Sequence, residues 1–97
     1  MIKIYVSKDK IEVMGHAKHS EYGKDIVCAA VSSCILTTVN AILELDKSYI
    51  SVNDNDGITI EILKHDNIVD KLIINMINML DELEKEYSKN IKIYREV

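Results

Sequence analysis

A chain of 97 residues has the length of one domain and not two, and a domain of this size buries somewhat more than roughly 60% of its unfolded surface, so it can fold without disulfide or metal staples. Hydrophobic residues make up 47% and the 5% of aromatics are all Tyr, which leaves Ile, Leu and Val to fill the core. A net charge of −4 with no basic cluster argues against nucleic acid as the main partner.

The N-terminal run MIKIYVSKDKIEV alternates apolar and polar residues. It lacks the continuous apolar run of a signal peptide, and no later stretch reads as long enough to span a membrane, so a cytoplasmic location without membrane contact is expected. Ile2, Ile4 and Val6 alternate with Lys3, Tyr5 and Ser7, the period of a strand. SKDK turns the chain. Ile11, Val13 and Gly15 then alternate with Glu12, Met14 and His16, which predicts a second strand and a hairpin. In that register His16 points away from the face carrying Ile11 and Val13.

AKHSEYGK has no period and reads as a loop. Asp25 is expected as the N-cap of a helix from Ile26 to Asp46, its carboxylate accepting from the free amides of the first turn. Ala29, Ala30, Leu36, Ala41 and Leu45 favour that helix, and Val27, Val31, Ile35, Val39 and Ile42 supply buried bulk. KSYISVNDNDGITIEIL predicts a second hairpin, with Ile50 and Val52 before the NDNDG turn and Ile58, Ile60 and Ile62 after it. After KHDN a second helix is expected from Ile68 to Ser88. Val69, Leu72, Ile73, Met76, Leu80, Leu83 and Tyr87 form one stripe, with Lys71, Asn75, Glu82 and Lys85 opposite. Ile91 and Ile93 close with a short strand. The order β-β-α-β-β-α-β, without repeat or linker, predicts one α+β domain over residues 1–97, a mainly antiparallel sheet with two helices packed on it.

The chemistry concentrates around the first loop. With Asp25 as cap, Cys28 is the third helical residue, where free amides and the helix dipole favour negative charge. A thiol there ionises more easily, and the thiolate is the nucleophile. His16 is the obvious base, since the loop from Ala17 to Val27 is long enough to bring the two side chains together. The plain alternative is that Cys28 is a small core contact in CAAV. Cys34, six residues on and mid-helix, reads as core, and its spacing from Cys28 turns the two thiols to different faces, against a disulfide.

The neighbours have double readings. Asp25 can cap the helix or orient His16, and its charge opposes thiolate formation at Cys28, which favours the cap. Ser32 shares the face of Cys28 and can donate near the thiolate or bond back to the carbonyl of Cys28. Gly15 and Gly23 serve backbone geometry, and Gly23 can also hinge a lid formed by Lys18 to Lys24. His19 lies in that lid and is expected in solvent. His65, in the turn before the second helix, has no nameable partner.

NDNDG is a hairpin turn and not a calcium loop. With Gly57 at the sixth position, the first and twelfth would be Val52 and Leu63, which offer no side-chain ligand. The two thiols and three histidines lack metal-ligand spacing, and no glycine-rich phosphate loop is present. No metal and no cofactor are expected.

Gly15-His16-Ala17, then Gly23, then Asp25-Ile26-Val27-Cys28-Ala29-Ala30-Val31-Ser32 resembles the signature of the ribosomal-processing cysteine proteases, the Prp family. Chain length and element order agree with it. The resemblance implies a small homodimeric endopeptidase of Gram-positive bacteria, with Cys28 as nucleophile, His16 as base, and Asp25 and Ser32 at positions associated with the site. It also implies a substrate, the N-terminal extension of ribosomal protein number twenty-seven of the large subunit, whose removal exposes the mature N-terminus near the peptidyl-transferase centre. Cleavage after an aromatic residue implies an apolar pocket beside Cys28.

On this reading Cys28 attacks the scissile carbonyl and His16 relays the proton. Amides near the helix start and a loop amide near Gly23 are candidates for the oxyanion hole. The loop covers the cleft and reorganises on peptide binding. The competing reading is a ribosome-associated module without catalysis that binds an extended peptide along a sheet edge. A thiol oxidoreductase lacks its CxxC pair.

Overall fold

The computed structural model describes residues 1–15 and 24–96, with side chains from Ile26 onward in the second stretch. The elements are β1 (Ile2–Val6), β2 (Lys10–Met14), α1 (Lys24–Leu45), β3 (Ile50–Asn53), β4 (Ile58–Ile62), α2 (Asn67–Glu86) and β5 (Ile91–Arg95), in the expected order. The five strands form one sheet in the order β3-β4-β2-β1-β5. Three pairings are antiparallel and the β1–β5 pairing is parallel, so the sheet is mixed and mostly antiparallel.

The pairing directions explain why both helices cover one face. β2 and β3 run the same way, as do β4 and β5, so α1 and α2 are each the crossover of a split β-α-β unit. The two units start from antiparallel strands and cross in opposite directions along the sheet. With the usual right-handed crossover, both helices then land on the same side. That side receives Ile2, Ile4, Ile11, Val13, Ile50, Ile60, Ile62 and Ile91, all at most 9% exposed.

Val27, Val31, Ile35, Val39 and Ile42 of α1 recur at three- and four-residue steps and are buried at 0–3% exposure, as are Val69, Met76 and Leu80 of α2 at 0–1%. Each such side chain contributes about 1.5–3 kcal/mol when fully buried. The opposite face of the sheet is open. There Lys3 is exposed, and Tyr5 and its register partner Tyr94 stack with ring centroids 5.0 Å apart.

Local signals set the ends of the elements. Asp66, with extended φ and ψ, caps α2 by accepting from the amides of Ile68 and Val69. In the NDNDG hairpin the Asn53 side chain accepts from the amide of Asn55 at 2.9 Å, and Gly57 closes the turn at φ +95°. That turn is the one expected from the sequence.

Three expectations need correction. α1 begins at Lys24, so Asp25 is the second helical residue and not the N-cap. Cys28 is therefore the fifth helical residue, and a helix starting at Lys24 returns its amide to the carbonyl of Lys24. β2 stops at Met14 instead of running to His16. The backbone leaves the ladder at Gly15, whose φ is +84°. Finally, Ile26–Leu45 is long and apolar enough to cross a membrane, with mean hydropathy 2.1 and a third of the stretch buried in the fold. It reaches that value because no charged residue falls between Asp25 and Glu44, while its apolar stripe is spent on the core.

Candidate active site

The strand that leads to His16 is anchored by a close backbone approach. A Cβ added at Gly15 would lie 2.2 Å from the carbonyl oxygen of Met1, so only glycine fits between the end of β2 and the start of β1. His16, Lys18, His19 and Gly23 lie outside the described residues, and of Asp25 the structure gives only its helical backbone.

Cys28 is a free, half-buried thiol near the start of α1, packed against the core. Ser32, also half-buried, follows one turn later on the same face. At 100° per residue, Ile35, Leu36 and Val39 continue that face down the helix. Cys34 behaves as the core residue expected. It is 8% exposed, its thiol approaches the carbonyl of Met76 at 3.8 Å, and burial pushes its pKa up. A thiol held neutral in that way is a poor nucleophile.

The apolar recess expected beside Cys28 lies farther along. A groove of about 590 Å³ runs between α1 and the β3–β4 hairpin, floored by Ile35, Leu36 and Val39 and walled by Val52 and Ile58. Met14 and Gly15 stand at one end, next in sequence to His16, and Asp54 to Gly57 at another part of the rim. Val52 is 39% exposed and Leu36 49% exposed. The strand period puts Val52 on the same face as Ile50. It faces the helix side, in register with the fully buried Ile60, but β3 is the edge strand, and at Val52 it is left uncovered although Ile50 is buried. No local pattern carries that information.

His65 was the other omission. Its Nε2 lies 2.6 Å from Asp9 and its Nδ1 2.9 Å from Asp70. The ring therefore joins the β1–β2 turn to the first turn of α2. Hydrogen bonds to Asp9 first and Asp70 second raise its pKa above the ordinary value. Asp9 is distant in sequence, so only the folded chain brings the three groups together. Among the described residues no cluster of His, Cys, Asp and Glu is arranged to hold a metal.

A free, half-buried thiol near the start of a crossover helix, in a chain whose preceding strand leads in sequence to a histidine, fits the class of cysteine peptidases. The sequence model of the cysteine protease Prp family matches residues 1–92. The ribosomal processing cysteine protease Prp of Staphylococcus aureus is 40% identical over 83 residues, covering 81% of this chain and 78% of the relative. That of Bacillus subtilis is 28% identical over 93 residues, covering 84% and 80%.

The fold agrees. A crystal structure of Prp from S. aureus in complex with a substrate peptide superposes with a TM-score of 0.89 at 28% identity, covering 99% of this chain and all of the other. A second, with a covalently linked product peptide, gives 0.86 at 30% identity with the same coverage. The chain belongs to the Prp family of ribosomal-processing cysteine proteases.

Proposed function

We propose that this chain is a cytoplasmic endopeptidase that removes the N-terminal extension of large-subunit ribosomal protein number twenty-seven, acting as a homodimer with Cys28 as nucleophile and His16 as base. The observation that carries this is the position of the Cys28 thiol. It is free and partly open, and it lies on the helix face that leads into an apolar groove able to take a peptide. The sulfur of Cys28 gives up its proton to His16 and attacks the scissile carbonyl. The tetrahedral oxyanion collapses to a thioester as His16 protonates the leaving amine. Water, deprotonated by His16, then hydrolyses the thioester and restores the thiol.

The amide of Cys28 is committed to the helical ladder, so the oxyanion donors are earlier amides, in the free first turn of α1 or near Gly23. Asp25 sits in that first turn, where its charge complements the helix dipole. Ser32 is one turn from the thiol, positioned to donate toward it. Gly23 and Gly15 flank the segment that holds Lys18 and His19, which we assign as the lid over the cleft. The uncharged run of α1, with Ile26 and Leu45 each more than half exposed, supports a second copy of the chain as its cover.

The test is cleavage of a peptide carrying the ribosomal extension. Wild type is expected to cut it, and Cys28→Ala and His16→Ala each to lose about a thousandfold or more in kcat. Equal cleavage by Cys28→Ala overturns the mechanism.

A further inference from the structure

We propose that the substrate segment preceding the scissile bond docks as a sixth strand on the free edge of β3 and sends alternate side chains into the groove beside α1. This rests on the endopeptidase reading and adds how the peptide is held.

The two edges of the sheet are treated differently. On β5, the amides that bond to β1 alternate with the outward-facing amides of Ile91, Ile93 and Arg95, and the first two of these are occupied. The amide of Ile91 donates to the Tyr87 carbonyl at 3.1 Å, and that of Ile93 to the Glu84 carboxylate at 2.7 Å. On β3, the Leu63 amide donates to the Tyr49 carbonyl at 2.8 Å. In the antiparallel register the odd residues Tyr49, Ser51 and Asn53 therefore face β4, and the backbone groups of Ile50 and Val52 face outward. Among the described residues nothing accepts from those two amides. A protein that blocks one edge and leaves the other open has a template for an added strand, and such edges invite pairing unless they are used.

The open edge borders the groove. A strand laid on β3 places every second side chain over Val52 and Leu36, the exposed apolar surface of the groove. From Cys28 to Val39 the helix face extends about 16 Å, which an extended peptide covers in about five residues. The Asp54 and Asp56 carboxylates rim the groove without an ion-pair partner among the described residues. They favour a segment bearing Lys, Arg or a free amino terminus over a second copy of this chain, whose own net charge is −4.

The experiment uses the full chain and two peptides, one with at least six residues before the scissile bond and one truncated to two. Single backbone N-methylation is scanned along the long peptide. The expected result is period two: methylation at alternate positions lowers kcat/KM about tenfold, and at intervening positions leaves it unchanged. Val52→Pro removes an outward amide that makes no bond within the sheet, which an edge strand tolerates. It should lower kcat/KM about tenfold on the long peptide and leave the truncated one unchanged. Leu36→Glu should raise KM for the long peptide only.

A methylation profile without period, or a Val52→Pro effect equal on both peptides, overturns the proposal. So does a Val52→Pro chain that sediments as a monomer while cutting both peptides normally, because the edge would then join two copies. If wild type cuts neither peptide, the endopeptidase reading itself falls.

Discussion

Gly15 shows how much one residue can decide. It combines a φ of +84° with a backbone approach in which any Cβ would meet the Met1 carbonyl oxygen at 2.2 Å. A left-handed conformation alone costs an L residue about 1–2 kcal/mol, and the clash forces β1 and β2 apart as well. Gly15→Ala is therefore expected to destabilise the chain by about 2–3 kcal/mol in urea denaturation. Because the next residue is His16, cleavage should fall more than the loss of folded protein explains. An unchanged denaturation midpoint would show that the N-terminus gives way without cost. The glycine itself was legible as a backbone residue next to the histidine, but its reason was not, since Met1 meets it only through the β1–β2 register. The thiols were legible singly. Cys34 in mid-helix and Cys28 near the helix start were separated by position alone, and burial bears out the first.

At the scale of elements, periodicity was a good guide wherever a face is buried. The stripes of α1 and α2 and the alternation of β1, β2 and β4 follow from local spacing. Element ends were less well marked, as the start of α1 at Lys24 shows, because hydrogen bonding and not a single cap residue decides where the ladder begins. The link between elements at His65 was invisible, and it carries a pH prediction. Holding both Asp9 and Asp70 requires two N–H groups, which only the imidazolium has. The folded pKa of His65 is raised, so its stabilising contribution is complete below the ordinary value of about 6.5 and is lost as pH climbs through the folded value. The melting temperature of wild type should fall on going from about pH 6 to pH 9 relative to His65→Gln, which lacks this dependence. Parallel curves for the two proteins would remove His65 from the account.

The whole molecule is one sheet covered on one side. That arrangement concentrates stability in a single layer of Ile, Val, Leu and Met, and leaves the Val52 end of the edge strand β3 uncovered. Ile42 is fully buried well away from Cys28 along α1. Ile42→Ala should cost about 2–5 kcal/mol of unfolding free energy and leave kcat unchanged while the chain is folded. A large loss of kcat with normal stability would mean that α1 transmits strain to the thiol.

By itself the sequence determined the element order, the buried stripes of the strands and helices, and the family. All of these are written in local spacing or in a contiguous motif. The tertiary structure alone decided that β5 lies parallel to β1, that β3 is the open edge, that Leu36 and Val52 line a groove, and that His65 bridges two carboxylates. Those facts depend on which distant strands pair and on the hand of two crossovers, and a periodicity that repeats every two or four residues contains neither.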